Sequence, residues 1–192
     1  MTESEHAENQ LPKGNLKSKY IAHYGIRTRQ LKEMISWYKI FFNAEVLYQN
    51  EFAAFMTFDD EHHRLVLWTD EDTKDKPENV AGIDHIGIGL QNFRELIEAY
   101  ERLKAQDIIP FLPVNHRFTT SLYYKDPDGN EVELTVDNFP SKDLCGDFVR
   151  SEKMEEILIP PFGDVFDPDE LAQAFHKGAS DEELAKIGME KS

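Results

Sequence analysis

Cysteine, long apolar runs and basic residues are scarce in this 192-residue sequence, and each shortage excludes a class of protein. The single cysteine, Cys145, has no second thiol with which to form an intramolecular disulfide or a CxxC metal site. No apolar run reaches the roughly 18 to 20 residues that span a bilayer. Lysine and arginine total 21 against 37 aspartate and glutamate residues, which gives a formal net charge of −16. Such a surface repels nucleic acid and anionic membranes, so a small molecule is the expected partner.

The first residues do not predict a secretory signal. Residues 1–18 are polar and acidic, without the apolar segment of a secretory leader. We therefore predict a disordered acidic tail over 1–18 and a cytoplasmic protein. Hydrophobic residues make up 40% of the whole chain, and its length allows the remainder to bury a sizeable core.

An internal repeat dominates the centre of the sequence. IAHYGI at 21–26 and IDHIGI at 83–88 coincide when the chain is shifted by 62 residues. The same shift superposes the apolar positions that follow: Leu31 on Phe93, Met34 on Leu96, Ile35 on Ile97 and Tyr38 on Tyr100. Two copies of one structural unit are therefore present.

Each copy predicts the element order βαβββ. An alternating strand comes first, and apolar residues then recur at helical spacing over about 30–42 in copy one and 92–105 in copy two. Strand-like runs follow, with hairpin turns predicted at DDE 59–61 and DPDG 126–129.

Pairing of the two copies follows, because a single unit leaves one face of its sheet unburied. We predict an α+β fold over 19–138 in which two tandem βαβββ modules, about 19–68 and 81–138, form one curved eight-stranded mixed sheet with the helices outside. Residues 139–192 form an extension with short helices. Asp167 before Pro168 predicts one helix start there, and the Ser180–Glu183 pair predicts another.

Two histidines and one glutamate are the candidate metal ligands. The repeat places His23 and His85 at equivalent positions of the first strands. Glu133 alternates with apolar neighbours in EVELTV, which predicts that it faces the interior, where a carboxylate needs a partner or a metal. Copy one offers only Leu and Val near 65–67, where symmetry predicts a fourth ligand. Two histidines and one carboxylate form the facial triad of non-haem Fe(II) sites.

The segments HHRLVLW at 62–68 and SLYYKDPDGNEVEL at 121–134 add a family resemblance. With the repeat, they resemble the vicinal-oxygen-chelate superfamily of glyoxalases, bleomycin resistance proteins and dioxygenases over roughly 20–138. In detail they are similar to the one-domain type I extradiol ring-cleavage dioxygenases, of the biphenyl-2,3-diol 1,2-dioxygenase type. The resemblance gives His63 the place of the acid/base histidine, Tyr123 that of the active-site tyrosine and His116 that of a histidine near the substrate hydroxyls.

The resemblance implies an oxidoreductase that cleaves a catechol-type ring with O₂, using Fe(II), with Mn(II) as a possible substitute, and that forms a homo-oligomer. A one-ring catechol and a biaryl diol both fit the sequence. Two other functions stay open: a metal-dependent lyase or isomerase of the glyoxalase type, and a non-catalytic module that binds a small aromatic molecule. The absent fourth ligand disfavours the first, and the intact set of His23, His85 and Glu133 disfavours the second.

Overall fold

The elements of the computed structural model follow the repeat, and the model describes residues 20–77, 81–157 and 162–189. The predicted tail at 1–18 lies outside these ranges. In chain order the elements are β1 (Tyr24–Arg27), α1 (Leu31–Phe41), β2 (Glu45–Gln49), β3 (Ala53–Thr57), β4 (Leu65–Trp68), β5 (His85–Gly89), α2 (Phe93–Lys104), β6 (Leu112–Asn115), β7 (Thr119–Lys125), β8 (Glu131–Asp137), α3 (Lys142–Val149), a 3₁₀ helix (Glu152–Glu156), β9 (Asp164–Val165), α4 (Pro168–His176) and α5 (Asp181–Leu184).

The two long helices lie where the apolar spacing predicts them, to within one residue at each end. The side chain of Asn92 accepts a hydrogen bond from the backbone N–H of Glu95 at 3.1 Å and so caps the start of α2. Each helix buries one apolar stripe in a core shared by both copies: Leu31, Met34, Ile35, Tyr38 and Phe41 from α1, and Phe93, Leu96, Ile97, Tyr100 and Leu103 from α2. None of the helices within the described ranges is long and apolar enough to cross a membrane.

The paired βαβββ architecture is confirmed, with the strands hydrogen-bonded into two sheets. The first sheet has the order β1-β4-β3-β2 and the second β5-β8-β7-β6-β9. The first strands β1 and β5 are the neighbouring edges, and a groove of about 250 Å³ lined by 25–27 and 83–86 lies between them. The predicted eight-stranded sheet is thus divided at this groove.

The C-terminal extension contributes a strand as well as the predicted helices. Pro168 begins α4 after Asp167, whose side chain accepts from the N–H of Asp169, and Ser180 and Glu183 form the predicted capping box. Upstream of α4, β9 pairs with β6 at the edge of the second sheet. A two-residue strand carries too little pattern to be predicted from sequence.

A buried hydrogen bond joins the two modules. Tyr38 in α1 donates its hydroxyl to the carboxylate of Asp126, at the turn between β7 and β8, over 3.0 Å. Burial raises the pKa of Asp126, and hydrogen bonds from Asn130, Tyr38 and the Asp128 N–H lower it again. The repeat equivalent Tyr100 donates to Asp169 in the extension at 2.7 Å, where Lys104 also binds the carboxylate.

These two tyrosines give a matched stability test. Tyr38→Phe removes a donor from a buried carboxylate and is expected to lower the free energy of unfolding by about 2 kcal/mol. Tyr100→Phe leaves Lys104 on the more exposed Asp169, so its loss is expected to stay under about 1 kcal/mol. Urea denaturation of both variants measures the difference, and equal losses would contradict the role given to the buried Asp126.

Candidate active site

The candidate site lies on the face of the second sheet that points away from the helices. The registers of β5, β8 and β7 place Gly87, Glu133 and Tyr123 in one row across the sheet. Val132 and Leu134, on either side of Glu133, point the other way into the hydrophobic core. Alternation along β8 therefore delivers a carboxylate to the face opposite the helices.

His85 and Glu133 approach each other on this face. Nε2 of His85 lies 3.3 Å from Oε2 of Glu133, and the Glu133 side chain is only 11% exposed against 35% for His85. The opposite ring nitrogen, Nδ1, lies 2.8 Å from the carboxylate of Asp84. Because Asp84 accepts from Nδ1–H, we assign the proton of the neutral ring to Nδ1, which leaves the Nε2 lone pair facing a carboxylate oxygen.

Two electron-pair donors that face each other at this distance fit a shared metal ion. Adjacent ligands with metal–ligand bonds of about 2.1 Å and an octahedral angle lie about 3.0 Å apart. A ligating histidine commonly donates its other N–H to a carboxylate, as His85 does to Asp84. The donor set is one imidazole and one carboxylate, which suits iron or manganese.

Tyr123 and His116 extend the polar row beyond Glu133. The Tyr123 ring stands edge-on to that of His85, with ring centres 5.2 Å apart, and its hydroxyl lies 3.1 Å from Nε2 of His116. Burial raises the pKa of Tyr123 well above its usual range, and the charge of Glu133 raises it further. The hydroxyl therefore keeps its proton at neutral pH and acts as a hydrogen-bond donor.

The first module holds the other two predicted histidines. The rings of His23 and His63 stack with centres 4.7 Å apart, and Phe55 lies edge-on to His63 at 5.5 Å. Partial desolvation lowers the pKa of His63, and the neighbouring His62 and His23 lower it further. This favours the neutral form of His63, which accepts a proton.

His23 does not join the second-module residues. β1 begins at Tyr24, one residue later than the repeat implies from β5, and the Arg64 guanidinium binds the carbonyls of Ile21 and Ala22. His23 consequently lies against His63. Across 20–77, 81–157 and 162–189, no three His, Cys, Asp or Glu side chains are grouped closely enough to hold a metal ion. The structure assembles His85 with Glu133, and the third ligand stays a prediction.

The register identifies the residue that replaces a fourth ligand. Gly25 pairs with Val66 in the first module as Gly87 pairs with Glu133 in the second. Phe55, opposite Val66, occupies the position of Tyr123. The same row is therefore apolar in one module and polar in the other.

Two groups of the site escaped the sequence reasoning. Asp84 has a detectable signal, because the 62-residue shift aligns it with Ala22, so that the acid occurs only in the copy that carries Glu133. The second group is the backbone carbonyl of Phe162, which lies 2.6 Å from Nδ1 of His116. A carbonyl belongs to every residue, so the sequence holds no signal for it.

Comparison with known proteins identifies the family of the chain. The family model described as Glyoxalase/Bleomycin resistance protein/Dioxygenase superfamily matches residues 20–134, more than half of the chain. Biphenyl-2,3-diol 1,2-dioxygenase 3 of Rhodococcus globerulus is 36% identical over 166 residues, which cover 85% of this chain and 86% of that protein. Biphenyl-2,3-diol 1,2-dioxygenase 2 of the same organism is 38% identical over 159 residues, 82% of each chain.

Solved structures show the same fold at low identity. A glyoxylase/bleomycin resistance protein/dioxygenase domain from Frankia sp. EAN1pec has a TM-score of 0.55 and 17% identity, covering 65% of this chain and 96% of that one. Lactoylglutathione lyase from Agrobacterium tumefaciens has a TM-score of 0.52 and 20% identity, covering 62% and 94%. The family model and the two relatives confirm the resemblance seen in the sequence: the chain belongs to the glyoxalase, bleomycin resistance protein and dioxygenase superfamily.

Proposed function

We propose that this protein is an Fe(II)-dependent extradiol dioxygenase that cleaves a catechol-type ring with O₂. The observation that carries the proposal is a series of polar contacts at the second sheet that joins Asp84, His85, Glu133, Tyr123 and His116. The two relatives from Rhodococcus globerulus, named for biphenyl-2,3-diol cleavage, support it over most of the chain. The metal ligands in this proposal are His85, Glu133 and, from the first module, His23.

The residues divide the chemistry between the two modules. His85 and Glu133 would hold Fe(II), which would supply Lewis acidity toward the diol oxygens and activate O₂. Tyr123 donates a hydrogen bond to the oxygen on which negative charge develops. His63, held in its neutral form, accepts a proton and later returns it as a general acid. Phe55 and Val66 supply an apolar wall for the ring.

The competing lyase or isomerase function is disfavoured by Val66. Glyoxalase-type enzymes of this fold use four protein ligands, and the symmetric equivalent of Glu133 carries no donor atom. A purely binding module has no need of a histidine oriented by Asp84 toward a nearly buried carboxylate.

We also propose an aromatic diol and O₂ as substrates and a homo-oligomer as the assembly. Apolar side chains remain exposed at equivalent positions of the repeat, with Leu47 at 47% and Ile109 at 55%. Phe52 and Phe111 add to this exposed apolar surface.

A ring-cleavage assay tests the proposed function. The protein is purified without oxygen, loaded with Fe(II) or Mn(II) in parallel, and mixed with 2,3-dihydroxybiphenyl or one-ring catechols in the presence of O₂. We expect a yellow ring-opened product and stoichiometric oxygen uptake. His63→Ala is expected to lower the rate by about 100-fold or more.

His176→Ala is the matched control, because His176 is exposed and binds Glu101 away from the site. Its rate should equal that of the unsubstituted protein. Bound metal without oxygen uptake on any diol would favour the lyase or isomerase function. A chain that binds neither Fe(II) nor Mn(II) would favour the binding module.

A further inference from the structure

The C-terminal extension reaches the polar face of the second module beside His116. β9 pairs with the end of β6, with Val165 opposite Val114 and Asp164 opposite Asn115. Arg117 reinforces the contact through ion pairs with Asp164 and with Glu156 at 3.3 and 2.8 Å. The backbone at 162–163 is thereby fixed against the residues that flank His116.

The contact is closely packed at Gly163. Gly163 has a φ of 149°, and a Cβ there would lie 2.4 Å from the carbonyl oxygen of Asn115. Phe162 adopts the left-handed region with a φ of 63°, a strained conformation for a phenylalanine that the surrounding contacts must hold. Buried Asn115 also donates to the carbonyls of Ala185 and Ile187 at 2.9 and 2.8 Å.

The carbonyl of Phe162 decides which nitrogen of His116 carries the proton. Nδ1 lies 2.6 Å from this oxygen, which only accepts hydrogen bonds, so Nδ1 must be protonated. In the neutral ring Nε2 then has a free lone pair, and it faces the Tyr123 hydroxyl at 3.1 Å. Glu133 is the other acceptor next to that hydroxyl.

We propose that the C-terminal extension sets the tautomer of His116 through the Phe162 carbonyl, so that Nε2 is a proton acceptor aimed at Tyr123. Phe162 is a positioning residue that acts through its backbone. The consequence for turnover rests on the proposed function: a fixed acceptor at Nε2 holds the Tyr123 hydroxyl in place in the resting site, and the hydroxyl proton turns to the substrate oxygen as negative charge develops there. The extension is then a part of the active site.

The tautomer is measured directly by long-range ¹H–¹⁵N correlation on the histidine-labelled, metal-free protein at a pH where His116 is neutral. The set of imidazole cross-peaks that disappears in His116→Gln is assigned to His116. We expect a protonated Nδ1 and an unprotonated Nε2. The opposite pattern in the unsubstituted protein would overturn the inference. This measurement depends neither on catalytic activity nor on the folding of a substituted protein.

Gly163→Ala tests whether the Phe162 carbonyl sets the tautomer of His116, because the added methyl group is expected to displace that carbonyl. We expect the Nε2–H tautomer to gain population and kcat to fall about 10-fold with KM little changed. Gly178→Ala is the control: this glycine also has positive φ, at 89°, but no atom lies within 4 Å of its added Cβ. Phe162→Ala retains the carbonyl and should retain the tautomer.

The outcomes separate the two proposals. A tautomer change in Phe162→Ala but not in Gly163→Ala would assign the effect to the ring and overturn the role of the carbonyl. If the tautomers are as expected but the unsubstituted protein cleaves no diol, the positioning role of Phe162 holds and the proposed function is wrong.

Discussion

Glu133→Gln is expected to lower ring cleavage by at least about 1,000-fold and to weaken metal binding in parallel. The amide has the shape of the carboxylate but lacks its charge, so the Nε2 lone pair of His85 loses its anionic partner ligand. Turnover with Fe(II) and metal retention against a chelator measure the two effects.

The stability of the same variant should move the other way. Glu133 is nearly buried, and within the ranges that the structure describes no ion pair joins it to lysine or arginine. Removing the charge therefore relieves desolvation, and we expect the metal-free variant to unfold at equal or higher denaturant, by up to about 1 kcal/mol. A structural carboxylate would give the reverse sign, with stability lost along with activity.

Glu131→Gln is the matched control for this comparison. Glu131 lies two residues away in β8, opposite His85 in the register, and pairs with Lys125 at 3.6 Å. Its replacement should leave metal binding unchanged and turnover within about twofold. Equal losses in the two variants would show that net charge, and not a ligand, is being removed.

The repeat made most of the fold predictable. A 62-residue shift and the helical spacing of apolar residues locate α1 and α2 to within one residue, because burial of a single stripe dictates both spacing and length. The division of the strands into two sheets was not predictable. It depends on whether the edge strands β1 and β5 hydrogen-bond to each other, and the side-chain pattern does not encode this.

The sequence predicts those parts of the site whose role depends on the chemical identity of a side chain. Alternation in β8 placed Glu133, and symmetry named the stretch in which Val66 replaces a fourth ligand. For His23 the prediction from symmetry stays untested: Arg64 binds the chain before β1, and the His23 ring stacks on that of His63. The Phe162 carbonyl arises from a tertiary contact of the extension.

The glycines of the two first strands give the second large effect. Gly25 and Gly87 are equivalent in the repeat, but a side-chain oxygen lies close to Gly87 and, within the described part of the chain, none lies close to Gly25. A Cβ on Gly87 would lie 2.8 Å from Oε2 of Glu133, whereas on Gly25 the nearest atom is the Val66 carbonyl oxygen at 3.8 Å, an ordinary contact. Neither glycine has positive φ, so the backbone permits alanine at both.

Gly87→Ala is therefore expected to displace the Glu133 carboxylate while leaving the fold intact. The end of a glutamate side chain moves easily, so the thermal midpoint should change little, but a ligand shifted by a fraction of an ångström weakens the site. We expect metal affinity and turnover to fall about 10- to 100-fold, as happens when the groups that orient a ligand are lost. Chelator competition and the ring-cleavage assay measure both quantities.

Gly25→Ala completes the comparison, because the same methyl group is added at the same position of the other module. It should leave metal affinity, turnover and stability unchanged. If both alanines impair the enzyme equally, the first strands need glycine for the close approach of another molecule, and the special place given to Glu133 is wrong. A loss confined to Gly87→Ala traces the asymmetry of the repeat to the Glu133 carboxylate, since the two glycines hold equivalent register positions, with Val66 opposite Gly25 and Glu133 opposite Gly87.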